Sequence, residues 1–200
     1  MISPQDILDY WFEGCDNDLE ATQKLSNKWY MPSAEIDQEI TERFSNVYEQ
    51  AVNEDFKDWE ESVLGCLALV IIFDQFSRNL FRKTVRAFES DQVALNLTNK
   101  CINNFWHEEL PVPYQLFLFN PFQHSEDLTE QERGVQMVEK LCNNCASSWK
   151  SYVEGSLDFF RAHRDTVAKF GRFPHRNEVL RRTSTPEELE FLKTAPRYGQ

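Results

Sequence analysis

Four stretches of the chain set titratable side chains where a folded protein needs apolar ones. In the first, Leu67, Ile71, Asp74 and Arg78 follow i, i+4, i+7 spacing and share one helix face. Asp74 then lies near a helix C-terminus, where the dipole disfavours a carboxylate, and Arg78 one turn on is the natural partner. The second stretch puts Asp91 on the face formed by Phe88, Leu95, Ile102 and Phe105, with Arg86 just before it. In the third, Pro121-Phe122-Gln123-His124-Ser125-Glu126-Asp127, the hydroxyl and carboxylate residues serve as helix caps but His124 does not. The fourth holds His163 on an apolar stripe between Phe160 and Val167, followed by Arg172, Phe173, His175, Arg176 and Asn177 in a turn.

These residue types carry two kinds of chemistry. Arginine forks beside turns bind carboxylate or phosphate bidentately. A histidine oriented by a carboxylate serves as general base. The candidate ligand-binding set is Asp74, Arg78, Asn79, Arg86, Asp91, His124, His163, Arg172, His175 and Arg176, with Phe122 and Phe173 as walls. His124, His163 and Asp91 are the catalytic candidates, with Asp91 or Glu126 orienting the base. The plainer alternative is that the arginines neutralise Asp74 and Asp91 internally and that His163 is a satisfied core residue. Three histidines with Glu126 or Asp127 could ligate a metal, but no HExxH-type spacing is present, so neither metal nor cofactor is expected. His107 reads as a surface residue. Cys142-Asn143-Asn144-Cys145 is a lone CxxC outside a βαβ context, and no GxSxG, Walker-type loop or GxGxxG occurs.

The elements that must position these groups read as helices. The 200 residues contain 16 Phe, 5 Trp and 6 Tyr but only 6 Gly, which excludes disordered and low-complexity classes. Ser3-Pro4-Gln5-Asp6 opens a first helix, and apolar spacing predicts another over Ala34–Val52. Asp58 with Glu61, Thr129 with Glu132, and Thr185 with Glu188 read as capping boxes. A helix starts around Thr84. A long one carries Trp149, Val153, Phe160, His163, Val167 and Phe170, and Gly171 ends it. The apolar run Val63 to Phe73 is shorter than the roughly 20 residues of a membrane span and reads as a buried helix rather than a strand. The expectation is all-α: about eight helices in a single domain over residues 1–200.

Formal net charge is −12. Arg161 to Arg182 holds seven Lys+Arg against two Asp+Glu, and Arg78 to Arg86 holds four bases and no acid. Two basic islands therefore sit in an acidic remainder, which speaks against nucleic acid as a partner. Five cysteines without a basic, signal-like N-terminus suggest reduced thiols and a cytoplasmic protein that binds no membrane.

LDYWF at Leu8 to Phe12, DQFSRN at Asp74 to Asn79, RAFESD at Arg86 to Asp91, PFQHSEDLTEQE at Pro121 to Glu132, KFGRFPHRN at Lys169 to Asn177 and RRTSTPEELEFL at Arg181 to Leu192 together resemble the bacterial domain-of-unknown-function family 924. Ser77 stands where that family usually has Pro, and Gln123 where it often has Glu. The resemblance implies stacked helical hairpins similar to a tetratricopeptide-repeat superhelix and implies no activity. Three functions stay open. One is a binding module holding a small anionic molecule or peptide end in a His/Arg/Asp cleft. Another is a hydrolytic enzyme with His124 or His163 as base. The third is a protein-interaction scaffold.

Overall fold

Capping chemistry sets most helix starts in the computed structural model, which describes residues 2–195. The outermost residues of the 1–200 span lie outside the described part. Helix α1 (Pro4–Phe12) begins with a reciprocal Ser3–Asp6 capping box. Short helices α2 (Leu19–Lys24) and α3 (Ser26–Tyr30) lead to α4 (Ala34–Val52), capped by Ser33. Helix α5 (Val63–Val70) continues through a π-helical segment, Ile71–Phe76, into α6 (Ser77–Leu80). Then follow α7 (Asp91–Asn103), α8 (Val112–His124), α9 (Leu128–Asn144), α10 (Lys150–Phe170) and α11 (Pro186–Phe191). No strand occurs among the described residues.

Several starts differ from the sequence expectation. Lys57–Glu61 is a 3-10 turn, and α5 is capped instead by Ser62, whose hydroxyl accepts from the Gly65 N–H. The reason is packing: Gly65 lies so close under the Trp59 carbonyl that a Cβ there would stand 2.0 Å from its oxygen. Residues 85–88 form a separate 3-10 turn, so α7 begins only at Asp91. Asp127, whose carboxylate accepts from the Thr129 N–H, caps α9 in place of Thr129. The predicted stops and boxes at Gly171, with φ 68°, and at Thr185–Glu188 are present.

Helix α5 is the hub, packed against α1, α7 and α8, while α8, α9 and α10 pack on one another in chain order. The core is aromatic. Trp11 meets Phe76 and Phe117 edge-on at 5.7 and 5.6 Å, and Phe12 stacks on Tyr114 at 3.9 Å. Each such buried ring contributes roughly 2–3 kcal/mol. The run Val63–Leu80 has the length and composition to cross a membrane, and 67% of it is buried against the other helices. Its apolar residues thus have a protein environment.

Candidate functional site

The π-helical segment carries Asp74 into the interior, where it is 0% exposed. Helical π-turns are rare and occur frequently at functional sites. Here the segment is braced from outside: the Ser90 hydroxyl donates to the Phe73 carbonyl at 2.9 Å and lies 3.1 Å from the Tyr48 hydroxyl. Burial by itself would raise the Asp74 carboxyl. His124, Arg78 and the Gln75 amide outweigh that and hold it below the ordinary carboxylate value, so it is an anion at neutral pH.

His124 is the last residue of α8, and its Nδ1 lies 2.7 Å from Asp74 Oδ1. Because a carboxylate only accepts, Nδ1 carries the hydrogen and Nε2 keeps its lone pair in the neutral ring. Nε2 makes no hydrogen bond among the described residues, and the ring is 20% exposed. The buried Gln131 fixes this helix end by donating to the Gln123 and Ser125 carbonyls at 2.7 and 2.6 Å. Gln123 donates its own amide to Asn120.

Two guanidiniums meet on Asp91. Arg78 Nη2 is 2.7 Å from Oδ1 and Arg176 Nη1 is 3.2 Å from Oδ2. Both lie over the Phe88 ring, at 4.9 and 4.5 Å, and Arg176 also lies over Phe173 at 4.7 Å. Arg78 reaches Asp74 at 3.8 Å and donates to the Ala87 carbonyl. Burial depresses Arg176 to about 10, and it remains a cation at neutral pH.

Two further imidazoles complete the cluster. His163 Nδ1 donates to the Phe159 carbonyl, and its ring lies 6.3 Å from His124 and 5.6 Å from Phe173. Burial lowers His163 to about 4. His175, 5.4 Å from Phe173, is lowered to about 3 by burial and by the Arg176 charge. Both are neutral at pH 7.

Carboxylates latch the basic segment after α10. Glu126 accepts Arg182 on both oxygens, at 2.6 and 2.9 Å, and also the Phe173 N–H. Glu188 accepts Arg172 at 2.7 and 2.8 Å.

Of the residues singled out in the sequence, Asp74, Arg78, Asp91, His124, His163, His175 and Arg176 meet here. Three do not. Asn79 donates to Asp37. Arg86 pairs with Glu49 at the surface, over the Phe81 ring. Arg172 is held by Glu188. Glu126 and Asp91 are bound by arginines and orient no histidine; Asp74 does so instead. Phe122 is a core residue, whereas Phe173 lies in the cluster. His107, expected at the surface, is buried against Phe119. The sequence reading missed Arg182, Phe88 and Ser90, although Arg182 lies in a basic island and the other two in the RAFESD stretch. No group of three or more His, Cys, Asp or Glu suited to a metal occurs among the described residues.

Two pockets among the described residues lie outside the cluster. One of about 540 Å³ is lined by Asp6, Tyr10, Lys28, Glu39 and Arg43. The other, about 250 Å³, is lined by Tyr48, Phe56, Phe73 and Val93. The cluster itself reaches solvent through His124, Asp91 and Arg78, whose side chains are 20%, 20% and 13% exposed.

A family model described as a bacterial protein of unknown function, DUF924, matches residues 7–196. A solved structure of a protein of unknown function from Agrobacterium tumefaciens is similar, with TM-score 0.77 and 29% identity, covering 96% of this chain and 97% of that one. No curated protein matches.

Proposed function

The chain belongs to DUF924, a bacterial family of unknown function, and from its site we propose that it is a helical binding module. The cluster of Arg78, Arg176, His124, His163 and His175 holds a small anionic molecule or the acidic end of a peptide. The observation that carries this reading is Arg176. It is 6% exposed, and its Nε–H has no acceptor among the described residues. An unmet buried donor costs about 1–3 kcal/mol, more when charged. A carboxylate or phosphate oxygen entering beside it supplies the missing acceptor and a charge-assisted bond. Phe88 and Phe173 keep the guanidinium out of water, which strengthens that bond. All five cysteines are free, which fits a reducing, cytoplasmic setting.

Isothermal titration with succinate, citrate and inorganic phosphate at pH 7 tests this. The native chain binds at least one of them, and Arg176→Gln weakens binding by about tenfold or more, the worth of one charge-assisted bond. Arg86→Ala, at the surface pair with Glu49, leaves affinity unchanged. Folded protein that binds none of the three anions overturns the proposal.

A further inference from the structure

Resting on the reading that the cluster holds an anion, we infer that Asp74 and His124 form a general-base dyad that hydrolyses an ester of a small anionic acid. The geometry of the pair differs from that of a buried structural bridge. Asp74 is fully enclosed and fixes the Nδ1–H tautomer from 2.7 Å. The opposite nitrogen of the ring, Nε2, makes no hydrogen bond among the described residues, and the ring reaches solvent. An imidazole held by a carboxylate at one nitrogen, with a lone pair presented at the other, is the arrangement general-base catalysis needs. The other carboxylates nearby are spent, Asp91 on Arg78 and Arg176 and Glu126 on Arg182. His163 gives its Nδ1–H to the Phe159 carbonyl. Asp74 is therefore the positioning residue and His124 the catalytic one.

In the reaction, a water gives its proton to His124 Nε2 as its oxygen adds to the ester carbonyl carbon. The carbonyl π electrons move onto oxygen, whose negative charge the Arg78 guanidinium beside Asp91 answers, while the Arg176 Nε–H holds the substrate's own carboxylate. Collapse restores the C=O and breaks the bond to the alkoxide. That alkoxide takes the proton back from the imidazolium, leaving a carboxylic acid and an alcohol. No oxidant, metal or cofactor enters the balance.

The experiment uses the intact chain with mono-p-nitrophenyl succinate and, as a neutral counterpart, p-nitrophenyl acetate. The native protein releases nitrophenolate from the succinate ester, and His124→Gln slows it about 100-fold, the usual worth of a general base. Asp74→Asn slows it about tenfold or more and removes the downfield Nδ1 proton resonance of His124, a signature that a merely structural role would not tie to rate. His124→Gln is the safer variant for folding, since it changes a partly exposed residue. Native and His124→Gln proteins turning over both esters at equal rates, or neither ester being hydrolysed, overturns the dyad. The anion site fails separately: if succinate gives no binding heat while His124-dependent hydrolysis of the acetate ester persists, the dyad stands and the anion reading falls.

Discussion

Glu126 and Arg182 form a two-point pair across 56 residues of sequence, Nη1 to Oε2 at 2.6 Å and Nη2 to Oε1 at 2.9 Å, and Glu126 also takes the Phe173 N–H. The pair ties the loop before α9 to the basic segment after α10, which is what places Phe173, His175 and Arg176 in the cluster.

Glu126→Gln leaves the guanidinium facing a neutral amide and lowers stability by about 2 kcal/mol, since removing one partner of a half-buried pair leaves the other uncompensated. For a chain of this size that is a fall in melting temperature of roughly 4–8 °C. Burial raises the Glu126 carboxyl, but Arg182 and the Phe173 N–H outweigh it and hold it below its ordinary 4.5. Its contribution is thus present above that value and lost as pH falls through the lowered one. Acid unfolding followed by circular dichroism shows a smaller loss below pH 4.5 in the variant. Identical acid limbs in the two proteins would refute the assignment.

His163 gives a second, distinct pH dependence. Burial lowers it from 6.5 to about 4, so the unfolded chain binds a proton that the native one refuses. Stability is whole above pH 6.5 and declines as pH falls towards 4. One proton of difference corresponds to about 1.4 kcal/mol per pH unit. Urea melts of His163→Asn between pH 7 and pH 4.5 flatten by about that slope, while an unchanged slope would mean that His163 is charged in the fold.

Gly65 and Gly155 respond oppositely to alanine. At Gly65 the new Cβ would stand 2.0 Å from the Trp59 carbonyl oxygen, which is backbone and cannot rotate away. Gly65→Ala costs about 3 kcal/mol by overpacking. At Gly155, inside α10, a Cβ meets nothing within 4 Å, and Gly155→Ala gains up to about 1 kcal/mol from helix propensity. Differential scanning calorimetry of the two variants reads both signs, and a stabilised Gly65→Ala would contradict the close packing of α5 on the Trp59 turn.

Many helices, caps and stops were readable in the sequence because they act within about four residues, although Ser62 and Asp127 cap α5 and α9 where Asp58 and Thr129 were expected. Ser3 and Asp6, Thr185 and Glu188, Gly171 after the α10 stripe, and the apolar face of Ala34–Val52 are all local. The sequence also marked Asp74, Asp91 and His163 as polar groups on apolar faces, since burying an unpaired charge is too costly to pass unnoticed in an apolar pattern, and it singled out His124 as a histidine that caps no helix and Arg176 as part of a basic turn. It did not assign the partners. Asp74 could be matched to Arg78 one turn away, but its 2.7 Å bond to His124 spans 50 residues and that of Arg176 to Asp91 spans 85. Arg172 and Arg176 look alike in a basic turn. Only packing sends the first to Glu188 and buries the second with an unmet Nε–H. The π-helical segment was equally unreadable, because its composition is that of any buried helix, and its bracing by Ser90 comes from another element. Sequence therefore determined which residues had to find polar partners, and tertiary structure decided which partners they found, because charge pairing depends on distance in space and only helix periodicity depends on distance along the chain.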